Sequence, residues 1–382
     1  MAERRLKRLL TIGHSYVVAQ NRRLAHEMAR AGTGEWHVTV AAPARLRGDL
    51  RAIELEPIPE EACTLVSLDV RLGFHPHLRM YGGQLRPLLR ERWDLVHCWE
   101  EPYVMAAAQI ARNIQPNARF VPATFQNISK TYPLPTRMLE RRVMARADGW
   151  IAFGRTAYDV QRNRSGYASK PATVLSPGVD IEAFHPDARE RQRVRERLGW
   201  ATDDVVVGFI GRFVEEKGIE TLLQAFEHAT RPWNLLLVGG GPLASRIKSI
   251  QGRHPARVRL VENVSHDHVA GYLRAMDLLC APSRTTARWK EQFGRMLIEA
   301  MACGVPVLAS DSGEIPHVVR DAGMLIGEND SAKWTQVLDR LSSDCAARSD
   351  LSARGLTRAQ ADYAWPIVAR RHLDFFDEVL SR

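Results

Sequence analysis

Residues 291–307 read Glu-Gln-Phe-Gly-Arg-Met-Leu-Ile-Glu-Ala-Met-Ala-Cys-Gly-Val-Pro-Val. The segment before it, Ser283 to Gln292, is polar and irregular, and Gly294 supplies a turn. From Arg295 the spacing of Met296, Leu297, Ala300 and Met301 around Glu299 predicts a helix, which Gly304 stops before a buried strand at Val305–Ala309. A loop, helix and strand in this order belong to a parallel α/β sheet. The N-terminus of such a helix presents unpaired N–H groups and partial positive charge, so the amides that follow Phe293, those of Gly294, Arg295 and Met296, form a phosphate site. Glu291 stands ahead of the helix and Glu299 about one turn inside it, flanking that phosphate. Carboxylates accept paired hydrogen bonds from vicinal hydroxyls, so the layout suits a phosphate with hydroxyl-rich rings on both sides, as in a nucleotide sugar. A surface helix with two solvated glutamates is the plain alternative for an isolated pair of this spacing.

The whole string Glu-x-Phe-Gly-x4-Glu-Ala-Met-Ala-Cys-Gly-Val-Pro-Val resembles the signature of the retaining glycosyltransferases of family 4. The resemblance implies a GT-B fold: two Rossmann-like, doubly wound parallel-sheet domains facing a central cleft. The bulk composition agrees with that size. With 382 residues, 45% hydrophobic and 25% charged, the chain suits two globular domains. No apolar run is long enough to span a membrane, and the N-terminal Met-Ala-Glu-Arg-Arg-Leu-Lys-Arg lacks the form of a signal peptide, so a cytoplasmic protein is expected, at most peripheral on the inner membrane face. Cys63, Cys98, Cys280, Cys303 and Cys345 make no metal-ligand spacing and are read as reduced thiols. The net charge of +9 favours an acidic partner, and dispersed arginines without zinc-finger or RNP-type motifs argue against nucleic acid.

In the first half, the strand at Leu9–Ile12, the loop Gly13-His14-Ser15 and the helical spacing of Leu24, Ala25, Met28 and Ala31 before a strand at His37–Ala41 open a doubly wound sheet. Ligand loops in such a sheet lie at the carboxyl ends of the strands. Gly13 is therefore a candidate donor contact, and His14 an acceptor contact or an ordinary loop histidine. Asp94–Cys98 is another strand, followed by Glu100 and Glu101, of which Glu101 is the named acceptor-side candidate. After Phe120–Phe125 comes Gln126, where many family members carry a histidine near the anomeric carbon; glutamine can orient a hydroxyl but cannot act as a base. On the helix from about Thr136, Arg137, Arg141, Arg142 and Arg146 are read on one face, with Met138, Val143 and Ala147 on another. That basic face is either solvated or a contact for anionic lipid. The family resemblance continues at Pro177-Gly-Val-Asp180, and the strongly charged run from Asp187 to Glu196 places the domain boundary near residue 187.

In the second half, Val205–Ile210 is a central strand, followed by Gly211-Arg212-x4-Lys217-Gly218 and a helix. Arg212 and Lys217 in one strand-to-helix loop can flank a diphosphate, and they match the family's pyrophosphate clamp. A charge-assisted hydrogen bond contributes about 1.5–3 kcal/mol, against about 0.3–1 kcal/mol from a helix terminus, so the two cations should supply most of the recognition of charge. Gly239-Gly240-Gly241 follows the next strand, and the resemblance implies that Gly240 lies near the nucleotide and Val264 near the base. Residues 365–382 read as an amphipathic helix that, in GT-B proteins, crosses back to the first domain. Domains are thus expected at 1–187 for the acceptor and 188–364 for the nucleotide sugar, with 365–382 returning to the first.

The expected reaction moves a hexose-type sugar from a UDP- or GDP-linked donor to a glycan, lipid-linked or small-molecule acceptor, with retention. Glu291 binds sugar hydroxyls, Glu299 the ribose, and Arg212 and Lys217 the diphosphate, while Gln126 faces the sugar. No Asp-x-Asp metal motif is present where one would serve, so no metal or other cofactor is expected. The competing readings are a sugar-nucleotide epimerase of GT-B fold and a non-catalytic nucleotide-sugar-binding module.

Overall fold

The computed structural model describes residues 5–47, 52–72 and 75–382; residues 1–4 of the charged N-terminus lie outside the described part. The chain divides into two compact units, one running to Pro177 and resumed by Trp365–Arg382, the other Gly178–Ala364. The division falls before residue 187 because the segment after Pro177 is tied to the second unit. The Val179 N–H donates to the Tyr363 carbonyl at 2.7 Å, and the Arg274 guanidinium donates to the carbonyls of Ala183 and His185 at 2.6 and 2.7 Å. Asp187 instead caps the helix Ala188–Leu198, accepting from the N–H groups of Arg189 and Glu190.

The sheet of the first unit is parallel throughout and is built from β1 (Lys7–Ile12), β2 (Trp36–Pro43), β3 (Thr64–Leu68), β4 (Leu95–Cys98), β5 (Arg119–Thr124), β6 (Trp150–Ala152) and β7 (Ala172–Val174). Its spatial order is β7-β6-β5-β4-β1-β2-β3. The winding reverses between β1 and β4, whose ends are in register at Ile12 and Cys98. Leu9 to Ile12 of β1 and all four residues of β4 are fully buried, as strand segments covered on both faces must be. Helix α1 (Ala19–Ala31) follows β1 and buries Leu24, Ala25 and Met28 against one face.

Helix α2 (Leu134–Arg146) sits on the other face through Val143 and Met144. It corrects the expected division of its residues. Met138 is 44% exposed and Leu134 60% exposed, on the same solvent side as the exposed Arg137, Arg141 and Arg142. Arg146 leaves that group: its guanidinium binds Asp148 at 3.1 Å and the carbonyls of Gln115 and Ala118.

The C-terminal helix Trp365–Ser381 buries Trp365, Val368, Leu373, Phe375, Phe376 and Val379 in the same core as β1, β2 and α1. Lys7 pairs with Asp377, and Arg370 donates to the Ala31 carbonyl.

The second unit has a parallel sheet of β8 (Val206–Arg212), β9 (Asn234–Gly240), β10 (Val258–Val261), β11 (Leu278–Ala281), β12 (Val307–Ser310) and β13 (Gly323–Ile326). Its order is β10-β9-β8-β11-β12-β13, so its winding reverses between β8 and β11. Helix α3 (Ile219–Glu227) follows β8, and helix α4 (Arg295–Ala302) joins β11 to β12. Gly294, with φ of 79°, turns the chain into α4, and Gly304, with φ of 70°, ends the turn behind it. At a reversal of winding the connections leave the two flanking strands in opposite directions and open a crevice at their carboxyl ends. Each unit therefore has one such crevice, and the charged side chains singled out from the sequence gather beside it.

Candidate active site

The site in the second unit is assembled from the loops after β8 and β11. The loop after β8 carries Lys217 in a short helical turn at Glu215–Lys217 and ends at Gly218, with φ of 66°. A Cβ at Gly218 would stand 1.7 Å from the Pro282 carbonyl oxygen, so only glycine lets this loop lie against the end of β11. That approach brings Lys217 to Glu291. The Lys217 Nζ donates to Glu291 Oε2 at 2.6 Å, with side chains 14% and 7% exposed. The Ser283 hydroxyl donates to the same oxygen at 3.0 Å, and the ammonium lies 5.1 Å from the centre of the Trp289 ring. The backbone of Glu291 is fixed as well: its carbonyl accepts the Glu314 N–H at 3.0 Å, and a Cβ on Gly313 would meet that carbonyl at 2.3 Å. Ser283, Trp289, Gly313 and Glu314 were not singled out by sequence reasoning.

Arg212 ends β8, and its exposed guanidinium has no hydrogen bond or ion pair among the described residues. It is a cation without a local counter-charge beside the crevice. The glycine turn after β9 lies alongside: a Cβ on Gly239 would be 1.9 Å from the Gly211 carbonyl, whereas Gly240 is exposed with open space around it. Gly294 and Arg295 open α4, and the burial of the Arg295 guanidinium lowers its pKa, a shift that Glu299 opposes. Glu299 is buried and meets His266 Nε2 at 3.2 Å. Phe293 is packed edge-on against Tyr363, which leaves its backbone rather than its ring for a ligand. Met296 and Val264 are both half-buried. Among the described residues no three His, Cys, Asp or Glu side chains gather as a metal site would require.

In the first unit, Gly13 lies against Trp99, where a Cβ would stand 2.9 Å from the Trp99 Cβ, so its glycine is required by packing between the ends of β1 and β4. His14 is buried, stacked on Tyr81 with ring centres 4.4 Å apart, and paired through Nδ1 with Glu100 Oε1 at 2.8 Å. Glu101 turns the other way. Its carboxylate accepts from the Thr124 hydroxyl at 2.9 Å and the Phe125 N–H at 2.8 Å, and burial, only partly offset by these bonds, pushes its pKa up to about 7. Of the two glutamates read at this loop, Glu100 is the one paired with His14. Neighbours in an extended segment point to opposite sides, and the sequence alone does not say which side holds His14. Gln126 is buried with its amide 3.4 Å from the Tyr132 hydroxyl.

Similarity to known proteins agrees with this architecture. The chain matches solved structures along nearly its whole length: a glycosyltransferase from Rickettsia africae (TM-score 0.78, 15% identity, 99% of this chain and 100% of that one) and Anabaena HepE in complex with UDP-glucose (TM-score 0.69, 17% identity, 98% and 99%). These likenesses show a GT-B fold, and the family models give the class, a glycosyltransferase. A model of glycosyltransferase family 4 matches residues 17–183, and one of glycosyl transferases group 1 matches residues 190–358. The chain belongs to this group 1, family 4 lineage. It is 29% identical to a D-inositol 3-phosphate glycosyltransferase of Xylanimonas cellulosilytica over 88% of this chain and 81% of that protein. It is 31% identical to one of Mycobacterium bovis over 76% of this chain and 58% of that longer protein.

Proposed function

We propose that the protein transfers a hexose-type sugar, with retention and without a metal ion, from a UDP- or GDP-linked donor held by the second unit to a hydroxyl of an acceptor held by the first. The observation that carries this reading is the Lys217–Glu291 pair at the switch point, with the uncompensated Arg212 beside it. Without a ligand, the ammonium and carboxylate satisfy each other. When a nucleotide sugar enters, the ammonium turns to the diphosphate and Glu291 is released to sugar hydroxyls, so one pair exchanges for two ligand contacts. Arg212 and the amides of Gly294 and Arg295 complete the diphosphate shell, and Glu299 takes the ribose. As the glycosidic bond breaks, charge grows on the leaving diphosphate, and these groups stabilise the transition state more than the bound donor. Two cations in this loop can perform the neutralisation that a divalent ion performs elsewhere.

The named activity of the inositol phosphate relatives makes a phosphorylated cyclitol or sugar the first acceptor class to try. A peripheral stop on an anionic membrane fits α2, where Leu134 and Met138 project between Arg137, Arg141 and Arg142; equal sedimentation with neutral and anionic liposomes would remove it. The central test measures transfer in EDTA. Wild type should retain turnover, while Glu291→Ala and Lys217→Ala should each lose at least about 100-fold, the scale of one transition-state contact. Turnover like that of wild type in both variants would sink the assignment. Thermal-shift measurements with UDP-, GDP-, ADP- and TDP-glucose select the base, since a ligand of the native state raises stability by mass action.

A further inference from the structure

The Lys217–Glu291 pair is bordered by an aromatic face that the donor chemistry has not used. The Lys217 Nζ that donates to Glu291 Oε2 at 2.6 Å also lies 5.1 Å from the centre of the Trp289 ring, so carboxylate and indole border one small space, filled by the ammonium. The Glu291 carboxyl carbon stands 3.8 Å from where a Cβ on Gly294 would be, which sets this space beside the amides that open α4. Trp289 comes from a loop that is tied down on both sides. The Arg284 N–H donates to the Glu216 carbonyl at 2.9 Å, next to Lys217, and Thr285 gives its N–H and its hydroxyl to the two oxygens of Glu328 at 2.7 and 2.5 Å. The Thr286 hydroxyl accepts the N–H groups of Arg288 and Trp289 at 3.3 and 3.0 Å, and the Thr286 N–H donates to the Trp289 carbonyl at 2.8 Å. None of these bonds uses the side chain of Lys217 or Glu291, so the ring keeps its place when the ammonium moves. Residues 285–288 are exposed, and Trp289 and Lys217 are half-buried, so the space opens to solvent at its rim.

We infer that Trp289 is the wall of the donor-sugar subsite: its indole covers the apolar C–H face of the hexose whose hydroxyls Glu291 receives, and the Lys217 ammonium holds that place until the donor arrives. This rests on the transferase reading above. A pyranose ring carries two chemistries. Hydroxyls around its rim suit a carboxylate, and the C–H bonds on its face suit an apolar surface. The negative face of the indole that attracts an ammonium also attracts C–H hydrogens made weakly positive by neighbouring oxygens. Each wall therefore keeps its kind of partner when the ammonium turns to the diphosphate: the carboxylate passes from N–H to O–H donors, and the indole from a cation to polarised C–H bonds. A hydroxyl aimed at the indole face would lose its hydrogen bonds to water there, so Trp289 also selects among hexoses that differ in the configuration of one carbon.

The test measures binding to the full chain by calorimetry, with UDP and GDP beside UDP-glucose, UDP-galactose, UDP-N-acetylglucosamine and GDP-mannose. For the nucleotide sugar that wild type holds best, Trp289→Leu should weaken binding about tenfold, the scale of one apolar face returned to water, while the parent nucleotide stays within about threefold. Trp289→Phe, with a smaller aromatic face, should recover most of that loss. A role confined to holding Lys217 would move both ligands together, because the ammonium meets the diphosphate that they share. Thr286→Val removes the hydroxyl that fixes the loop and should weaken the nucleotide sugar about threefold or more relative to the nucleotide, the effect of a wall that must be ordered on binding; it is the arm that decides if Trp289→Leu does not fold. Equal weakening of nucleotide and nucleotide sugar, or no weakening of either, would overturn the role of Trp289 and leave the transferase reading standing. A wild type that binds neither UDP nor GDP would overturn both.

Discussion

At the scale of single residues, the proposed donor site depends on two kinds of position. Lys217 and Glu291 are chemistry-bearing, and they are also partners in a nearly buried ion pair, so removing one leaves the other without its counter-charge. Lys217→Met should destabilise the second unit by about 3 kcal/mol, and the double variant Lys217→Met/Glu291→Gln should recover most of that in urea unfolding without recovering transfer. A double variant no more stable than the single one would show that the pair does not couple. Gly218 is the other kind. Its positive φ, and the Pro282 carbonyl oxygen 1.7 Å from where a Cβ would stand, make Gly218→Ala a strained substitution, expected to cost about 1–3 kcal/mol and to move Lys217 away from Glu291, seen as a fall in nucleotide affinity. Arg212, Lys217, Glu291 and Glu299 stood out in the sequence because they belong to strings, Gly-Arg-x4-Lys-Gly and Glu-x-Phe-Gly-x4-Glu, that resemble the family's motifs. Their pairing was not, since Lys217 and Glu291 lie 74 positions apart and meet only through the parallel register of β8 and β11. Glu100 and Glu101 were both read as following the end of β4, and nothing local in the sequence marks which of them meets His14.

At the scale of elements, the C-terminal helix is the informative one. Its amphipathic spacing was readable, and so were the strands β1 and β2 on which it lies, from the apolar residues of Leu9–Ile12 and His37–Ala41. Among the strands that went unnamed, β3 and β13 are at sheet edges, where half-exposed residues dilute the apolar signal. The exposed side of α2 was misdivided because helical periodicity gives angles between residues, and the direction of the core comes only from packing. The C-terminal helix also carries His372, fully buried with Nδ1 on the Val368 carbonyl, its ring 6.3 Å from that of His97 on β4. Burial lowers the His372 pKa from 6.5 to about 4, and burial together with His372 holds His97 well below its usual range. Both folded values lie below the unfolded ones, so the unfolded chain binds more protons as pH falls and stability is lost between about pH 6.5 and 4. His372 alone should account for about 3 kcal/mol across that window. His372→Leu should flatten the acid limb of a stability–pH curve; an unchanged slope would show that the pair does not govern it.

At the scale of the molecule, the first unit is completed by residues that lie beyond the whole of the second in sequence. The six large apolar side chains of the C-terminal helix each contribute about 1.5–3 kcal/mol on burial, roughly 10 kcal/mol together even at the lower end, against a typical domain stability of about 5–15 kcal/mol. Deletion of residues 365–382 should therefore unfold the first unit, read by loss of protection in hydrogen exchange along β1 and β2, while the second unit keeps its nucleotide affinity. A truncated chain with both units protected would contradict the packing. The crossing also has a temporal side. A ribosome releases the second unit whole before it has made the piece that closes the first, so α1 and the exposed face of β1 and β2 wait uncovered through the synthesis of nearly two hundred further residues. A message cut short anywhere in that interval yields a first unit whose core is still open on the face that this helix covers.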